Sequence, residues 1–379
     1  MKKPVVIIGT GLAGYNLARE WRKLDNETPL VMISRDSGRS YSKPMLSTGF
    51  QKSKTDADLT MADAGTMAEQ LNASIHTFQE VEAIDVASKA ISVDGTTIEY
   101  RDLVLATGSS PIPLPFENSA FERTFAINDL EQYATFRSEI REGQTVLIVG
   151  GGLIGCEYAN DLNLAGYNVT LIEREQRLLS TLVHPEISLA LLDHFESRGI
   201  DVHLGTTVES LEASDRVIAH CHNINLTGDI VLSAIGVRAE TSLAHNSGVV
   251  INRGIVVNRA LETSVPNVYA LGDCAEVEGH LLYYIMPLML CARALAKTLS
   301  GQRTEVSYPA MPVTIKTTEY PIVSQLPKSP EGSWQVTHSE SGIAALCHNQ
   351  EGELVGYCLS GSEIIQRAAL TKQIGPTLA

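Results

Sequence analysis

Two short apolar runs, at residues 5–8 and 146–149, each lead into a cluster of glycines and then into a helical pattern. A second apolar run follows each of them, at residues 30–33 and 168–172. Short apolar runs bounded by glycine are typical of strands that are buried on both faces, as in a parallel sheet. The pattern therefore predicts two strand–turn–helix–strand units, one in each half of the chain.

Both glycine clusters follow the pattern G-x-G-x-x-G. The glycines are Gly9, Gly11, Gly14, Gly150, Gly152 and Gly155. The first glycine of such a turn permits a tight bend, the second lets a pyrophosphate approach the backbone, and the third lets the helix pack on the strand. The phosphates then lie at a helix N-terminus, which favours negative charge. One such pattern is weak evidence, but two in the same context predict two dinucleotide sites.

The residue at the end of each second strand distinguishes the two units. Glu173 ends that strand in the second unit, where a carboxylate binds the ribose hydroxyls of NAD and repels a 2′-phosphate. Arg174 and Arg177 lie close by, which leaves NADPH open as the alternative donor. In the first unit the only acid at this place, Asp36, comes late. Either Asp36 or the backbone is expected to serve the ribose there.

Three further segments have related patterns. Residues 103–108 and 230–236 each predict a buried strand that ends in a glycine turn. Residues 263–273 predict a turn, a strand and an aspartate at its end. They complete an ordered set of five motifs.

Composition limits the function classes. The 379 residues are 44% hydrophobic, which is enough apolar material for two or three domains. A net charge of −15 argues against nucleic acid as a partner. The six cysteines are widely spaced, so neither a metal site nor a redox-active dithiol is predicted. The apolar stretches at the N-terminus and at residues 281–292 are too short for a signal peptide or a membrane span, which favours the cytoplasm.

In this order the motifs resemble the two-dinucleotide-binding flavoproteins, which include glutathione reductase, NADH peroxidase and the ferredoxin and rubredoxin reductases. The resemblance covers about residues 4–312. It implies an α/β fold with two Rossmann-like dinucleotide-binding domains, for FAD and NADH, and a small α+β C-terminal domain, as in glutathione reductase. The implied FAD domain is residues 1–112 and 240–312, the NADH domain 113–239 and the C-terminal domain 313–379.

The resemblance also implies cofactor ligands. FAD would be bound by Gly9, Gly11, Leu12, Ala13, Gly14, Ser34, Arg35, Lys43, Pro44, Ala106, Thr107, Gly108, Gly272, Asp273 and Pro287. NADH would be bound by Gly150, Gly152, Gly155, Glu157, Glu173 and Gly236. Pro287 is expected to begin a helix that runs to about Leu299 and directs its N-terminus at the flavin.

Within this family, residues 41–50 and 272–276 are most similar to the bacterial rubredoxin reductases, in which NADH reduces FAD and the flavin reduces rubredoxin one electron at a time. Disulphide reductases and NADH peroxidases carry a reactive cysteine early in the chain. Here the comparable segment, residues 47–49, is Ser-Thr-Gly, and no cysteine precedes Cys156. The electrons are therefore expected to leave for an external acceptor. Rubredoxin is the first candidate; a [2Fe–2S] ferredoxin, or a slow NAD-binding redox sensor, is the alternative.

Two residues are catalytic candidates by the same resemblance. Lys43, in a Ser-Lys-Pro setting, is expected near the flavin, where a cation would favour the reduced form; the alternative is a solvated lysine. Glu157 lies where relatives of glutathione reductase carry an acid that pairs with a lysine; the alternative is a carboxylate favoured by the helix dipole. The hypothesis is that Lys43 and Glu157 form an ion pair.

The acidic net charge also bears on the acceptor. Rubredoxins are acidic, so global attraction cannot bring the partners together, and the docking face is expected to be locally basic or apolar. Residues 316–321 either help to line that face or form an ordinary hairpin. The short C-terminal domain favours a monomer.

Overall fold

The computed structural model describes residues 2–329 and 331–379. The chain forms two compact units. Unit 1 comprises the chain up to Lys43, Asp58–Ser110 and Val237–Tyr308, and unit 2 comprises Pro44–Ala57, Pro111–Gly236 and Pro309–Ala379.

The helices and strands of the described residues follow in chain order. The α-helices are α1 (Leu12–Arg22), α2 (Asp56–Leu59), α3 (Ala64–Leu71), α4 (Leu130–Glu139), α5 (Leu153–Leu164), α6 (Pro185–Ser197), α7 (Ser242–Asn246), α8 (Ile285–Leu299) and α9 (Arg367–Thr371). Short 3₁₀ helices cover Lys43–Thr48, Phe121–Arg123, Gly272–Cys274 and Ser362–Gln366. The strands are β1 (Val5–Ile8), β2 (Leu30–Ile33), β3 (Ser40–Tyr41), β4 (Thr60–Ala62), β5 (Ser74–His76), β6 (Val81–Asp85), β7 (Ala90–Val93), β8 (Thr96–Glu99), β9 (Asp102–Leu105), β10 (Ser109–Pro111), β11 (Glu117–Asn118), β12 (Thr124–Phe125), β13 (Thr145–Val149), β14 (Asn168–Ile172), β15 (Asp201–His203), β16 (Val208–Ala213), β17 (Val217–Cys221), β18 (Ile224–Gly228), β19 (Ile230–Ser233), β20 (Val237–Ala239), β21 (Ile255–Val257), β22 (Val268–Ala270), β23 (Ala275–Val277), β24 (His280–Leu281), β25 (Val313–Ile315), β26 (Ile322–Gln325), β27 (Ser333–His338), β28 (Gly342–His348) and β29 (Leu354–Gly361).

A parallel five-stranded sheet of order β22-β9-β1-β2-β5 forms the centre of unit 1. All four residues of β1 are buried, as expected for a strand with helices or other layers on both faces. Val5 lies opposite Leu30 on one side and Asp102 on the other. Helix α1 buries Leu17 and Trp21 in the core of this unit.

Unit 2 contains a second parallel sheet, of order β12-β19-β13-β14-β15. Its strands β19-β13-β14-β15 have the arrangement of β9-β1-β2-β5 in unit 1, whereas the outer strand β12 precedes these four in the chain and β22 follows its four. Val146 lies opposite Val169 and Ile230, which is the same register as in unit 1. A further sheet, β11-β16-β17-β18, shares a hydrophobic core with it through Leu147 and Val231.

The C-terminal part of unit 2 is an antiparallel sheet of order β25-β26-β29-β28-β27. Its core includes Val323, Tyr357 and Leu359, and α9 covers it with Leu370. Residues 316–321 connect β25 and β26, which pair antiparallel, so they form a hairpin loop.

The structure confirms the predicted fold class, two Rossmann-like sheets and a small α+β C-terminal part. One boundary was wrong. Helix α8 ends at Leu299 as predicted, but it begins at Ile285 rather than Pro287. Proline is tolerated in a first turn because its missing N–H has no partner within the helix there. The three-domain division stays a prediction. Within the described residues, no helix has the length and apolar character that crossing a membrane requires.

Candidate functional site

The first glycine turn of unit 1 has the geometry that its pattern predicts. Gly9 has φ +112°, and a Cβ there would overlap the carbonyl oxygen of Ala106. A Cβ on Gly14 would overlap the carbonyl oxygen of Gly9, so the helix packs directly on the turn. A Cβ on Gly11 would meet nothing within 4 Å. Gly11 is also the N-cap residue of α1, so open space lies where the helix offers its free N–H groups.

The second glycine turn repeats this arrangement in unit 2. Gly150 has φ +111°, and a Cβ there would lie 2.6 Å from the carbonyl oxygen of Ala234. A Cβ on Gly155 would overlap the carbonyl oxygen of Gly150. Gly152, the N-cap residue of α5, again faces open space. Each turn is therefore a cradle that a Cβ would fill, and both fit the pyrophosphate of a dinucleotide.

At the end of β2, unit 1 has a chain of short polar side chains. The Thr10 hydroxyl donates to Ser34 Oγ at 2.6 Å, and the Ser34 hydroxyl donates to Asp36 Oδ1 at 2.5 Å. The same Asp36 oxygen accepts the N–H of Gly38 at 2.8 Å. Asp36 therefore accepts hydrogen bonds within its own turn, whereas Ser34 is the residue directly after the strand.

At the end of β14, unit 2 has a buried carboxylate instead. Glu173 accepts the N–H of Gly151 through one oxygen, and the N–H of Glu175 through the other at 2.7 Å. This acid lies beside the glycine turn, as the NADH hypothesis requires. Arg174 is exposed and forms an ion pair with Glu175, and Arg177 donates to the carbonyl oxygen of Ser180 at 2.9 Å.

The turn that precedes Asp273 lies against the first glycine turn, residues 9–14. A Cβ on Gly272, which has φ +80°, would lie 2.7 Å from Cβ of Ala13. Asp273 Oδ2 accepts from the Ser109 hydroxyl at 2.9 Å and lies 3.4 Å from Lys43 Nζ. Unit 1 therefore brings together the predicted FAD residues Ala13, Lys43, Gly272 and Asp273.

The other predicted cofactor residues belong to several different elements, and their role stays a prediction. Thr107 donates its hydroxyl proton to the carbonyl oxygen of Glu240 at 2.8 Å, and Gly108 has φ +75°. Leu12 begins α1, and Arg35 follows Ser34 at the end of β2. Pro44 lies in the 3₁₀ helix Lys43–Thr48, and Pro287 is buried in α8. Gly236, which was predicted to bind NADH, has φ +117°.

Glu157, the fifth residue of α5, is 1% exposed and accepts from three donor groups. It forms a very short ion pair with Nζ of Lys316. The Ser47 hydroxyl donates to Glu157 Oε2 at 2.7 Å, and the Lys316 backbone N–H donates to Oε1 at 3.0 Å. Lys316 Nζ also lies 3.0 Å from Ser47 Oγ. A buried carboxylate needs this number of donors, since its desolvation is otherwise costly.

The predicted Lys43–Glu157 ion pair is wrong. The carboxylate neighbour of Lys43 is Asp273, and the cation paired with Glu157 is Lys316. The sequence offsets suggested a lysine from the early part of the chain. The hairpin loop after β25 supplies it instead, because that loop lies against Glu157 of α5.

Sequence reasoning also missed Asp161, which is fully buried on α5 one turn beyond Glu157. Its carboxylate accepts the N–H groups of Phe50 and Gln51, both at 2.9 Å. Burial raises the pKa of Asp161 above its usual range, although these two N–H groups act in the opposite direction. Two acids four residues apart, on a helix with no other charged residue, were the available signal. Asp161 fixes the segment that follows Ser47.

All six cysteines are buried, free thiols. Burial raises the pKa of Cys156 well above its usual value, and the carboxylates of Glu173 and Glu157 act in the same direction. Burial likewise raises the pKa of Cys291, to about 11. Cys274 is also fully buried, and its thiol donates to the carbonyl oxygen of Leu105 at 3.4 Å. The environments therefore disfavour a reactive thiolate.

Two family models match the chain. Residues 3–296 match the family model described as "Pyridine nucleotide-disulphide oxidoreductase". The chain belongs to this family. Residues 305–374 match a second model, described as "Rubredoxin binding C-terminal domain". Membership of the pyridine nucleotide-disulphide oxidoreductases confirms the predicted enzyme class and the predicted use of FAD and NAD(H).

Two relatives and one solved structure illustrate the similarity. A "Rubredoxin-NAD(+) reductase" of Alcanivorax borkumensis is 44% identical over 375 residues, with 98% of each chain covered. A "Nitric oxide reductase FlRd-NAD(+) reductase" of Vibrio vulnificus is 36% identical, with 99% of this chain and 98% of the relative covered. The crystal structure of a ferredoxin reductase from Rhodopseudomonas palustris has a TM-score of 0.89 at 24% identity, and covers 99% of this chain and 96% of its own. The family resemblance predicted from the motifs is confirmed, down to relatives that carry the name of rubredoxin reductases.

Proposed function

We propose that this chain is an NADH:rubredoxin reductase. The observation that carries the proposal is the match of residues 305–374 to the rubredoxin-binding model, directly after the match to the oxidoreductase family. The relative that shares 44% of its residues over nearly the whole chain is named for the same reaction. The match at the C-terminus favours rubredoxin over a ferredoxin, since the ferredoxin reductase structure supports the fold alone.

Each part of the proposed reaction has residues in the chain. Bound FAD would supply two-electron chemistry with NADH and single-electron chemistry with the acceptor. The open turns at Gly11 and Gly152 are suited to the two pyrophosphates, and Glu173 to the ribose of NADH. The Lys316–Glu157 pair holds a hydrogen-bonded carboxylate near the start of α5, where it would orient the nicotinamide amide.

The sequence and the burial of the thiols support an external acceptor. Ser47 lies in the segment where disulphide reductases have a cysteine, and its hydroxyl donates a hydrogen bond to Glu157. A hydroxyl cannot be oxidised to a disulphide or a sulfenate. The six cysteines are buried with protonated thiols favoured, so none is suited to receive electrons from the cofactor.

An anaerobic stopped-flow experiment tests the proposal. The purified holoenzyme is titrated with NADH and then mixed with oxidised rubredoxin. We expect NADH to bleach the flavin absorbance. After mixing, the iron–thiolate absorbance of rubredoxin should then disappear rapidly. Bleaching of the flavin with rubredoxin left oxidised would exclude rubredoxin as the acceptor. The absence of any bleaching would contradict the reductase assignment itself.

A second acceptor merits the same experiment because relatives at 36% identity are named nitric oxide reductase FlRd-NAD(+) reductases. In competition, we expect rubredoxin to be reduced with a higher kcat/KM than the FlRd protein of such a system or a [2Fe–2S] ferredoxin. We further propose that the reaction takes place in the cytoplasm, where NADH is available, and that the electrons serve alkane degradation. Loss of growth on alkanes, but not on acetate, after deletion of the gene would support that pathway; unaffected growth on alkanes would exclude it.

A further inference from the structure

The last helical segment exposes an apolar face. Residues 362–371 are helical without interruption, first as the 3₁₀ helix Ser362–Gln366 and then as α9. Ile365 is 85% exposed, more than any other large hydrophobic side chain among residues 2–329 and 331–379. Ala368 and Ala369 lie three and four residues further on and are exposed as well. Residues at this spacing lie on one side of a helix.

The inner side of the same segment is firmly attached. Ile364 and Leu370 pack in the hydrophobic cluster of the antiparallel sheet, together with Tyr357. The hydroxyls of Tyr357 and Thr371 are hydrogen bonded, with 2.7 Å between the oxygens. The exposure of Ile365 is therefore a property of a packed helix.

Positive charge borders this apolar face. Lys372 is exposed and lies seven residues after Ile365, one further turn along the same side. Arg367 is half-buried, and its guanidinium donates to Thr314 Oγ1 in β25 at 3.2 Å. The acid in this segment, Glu363, accepts a hydrogen bond from the side-chain amide of Gln366. An apolar centre with a charged rim is the usual construction of a protein–protein contact.

We propose that the face formed by Ile365, Ala368, Ala369 and Lys372 is the surface on which this chain docks rubredoxin. The inference rests on the proposed function, and it selects rubredoxin because the rubredoxin-binding model, residues 305–374, contains the whole helical segment. A chain with a net charge of −15 repels an acidic partner in general, so a local cation beside an exposed isoleucine allows such a partner to approach here.

The docking face is connected to the Glu157 ion pair by a single strand. Arg367 contacts Thr314 in β25, and Lys316 directly follows that strand. The partner is therefore held against the part of unit 2 whose loop carries the cation of Glu157. This places acceptor recognition and the predicted nicotinamide contact at the two ends of one short, hydrogen-bonded segment.

The experiment compares two acceptors. Ile365→Glu is assayed in the holoenzyme with NADH and either rubredoxin or ferricyanide, which is a small acceptor that needs no docking face. We expect the KM for rubredoxin to rise about tenfold, because a buried anchor side chain at an interface is replaced by a charge. The rate with ferricyanide should stay within about twofold. Lys372→Glu should raise the KM for rubredoxin by a smaller factor and weaken its dependence on salt concentration.

Phe121→Glu is the matched control, since Phe121 is 68% exposed in the same unit and lies outside the helical segment. Ile365→Leu keeps the apolar anchor and should retain the wild-type KM. An unchanged KM for rubredoxin in Ile365→Glu, or an equal rise in Phe121→Glu, would overturn the docking face while the proposed function stands. If the wild-type enzyme itself failed to reduce rubredoxin, the proposed function would fail and this inference with it.

Discussion

Four strands of each parallel sheet share one arrangement and register, but the residues at the ends of these strands differ chemically. Gly9 donates to the carbonyl oxygen of Ile33 at 2.8 Å, and Gly150 donates to that of Ile172 at the same distance. The residue that follows is Ser34 in unit 1 and Glu173 in unit 2. The backbone of a dinucleotide fold is thus reproduced twice, while the side chain at the strand end differs between a neutral hydroxyl and a buried carboxylate.

The helices that follow the two glycine turns, α1 and α5, also carry different side chains at corresponding positions. The residue after the third glycine is Tyr15 in unit 1, whose hydroxyl donates to the carbonyl oxygen of Gly38, and Cys156 in unit 2. Helix α5 then carries the buried acids Glu157 and Asp161. The repeated part of the fold provides for phosphate binding, whereas selectivity and chemistry depend on the residues that are not repeated.

The largest expected effect comes from the third glycines. Gly14→Val should abolish FAD binding and destabilise the protein by about 3 kcal/mol, because the new side chain would overlap the carbonyl oxygen of Gly9. Gly155→Val should leave FAD bound and remove the response to NADH. The ratio of flavin to protein absorbance and an NADH titration measure these outcomes. Gly11→Ala, whose Cβ meets open space, is the control that should fold normally. Loss of FAD from the Gly155 variant alone would reverse the assignment of the two turns.

The next effect concerns the cation of Glu157. Lys316→Met should slow flavin reduction by NADH about tenfold or more, because Glu157 loses its counter-charge and is no longer held in place. Lys316→Arg should restore much of the rate. Lys43→Met, which removes the neighbour of Asp273, should weaken the binding of FAD instead. Single-turnover stopped-flow measurements separate the two lysines, and an unchanged rate in Lys316→Met would contradict the role of this pair.

A smaller effect is expected when the strand ends are exchanged. Glu173→Ser introduces the residue of unit 1 into unit 2 and removes the acceptor for the N–H groups of Gly151 and Glu175. The KM for NADH should rise about tenfold, and discrimination against NADPH should decrease. Ser34→Ala is the companion variant, and it should change FAD content rather than the KM for NADH. Steady-state kinetics with NADH and NADPH measure these effects. An undiminished preference for NADH in Glu173→Ser would contradict the role of this carboxylate.

The smallest effect is predicted for Cys156. Its thiol is fully buried and donates to the carbonyl oxygen of Gly151 at 3.3 Å. Cys156→Ala should lower the free energy of unfolding by about 1 kcal/mol and leave kcat unchanged within about twofold. Thermal unfolding and the rubredoxin assay provide the two numbers. A large loss of kcat with normal stability would mean that a thiol takes part in electron transfer after all.

The sequence predicted those features that depend on residues close to one another along the chain. The strands at residues 5–8, 30–33 and 168–172 were predicted with their observed bounds, and the glycine turns with the observed tight bend at the first glycine and close helix packing at the third. Such turns require particular residue types within a few positions, since a Cβ at Gly9 or Gly150 cannot coexist with the adjoining strand. Glu173 was found in the same way, from its offset to a turn.

Tertiary structure alone decided which groups surround Glu157. Lys316 lies 159 residues away along the chain and Ser47 lies 110 residues away. An ion pair of this kind depends on where a hairpin loop of the antiparallel sheet ends, and no local pattern records that position. The exposure of Ile365 was hidden for the same reason: Ile364 beside it is packed in the core, and the sequence shows only two adjacent isoleucines. Short sequence patterns determine local backbone geometry, whereas contacts between distant segments depend on how the sheets and helices pack.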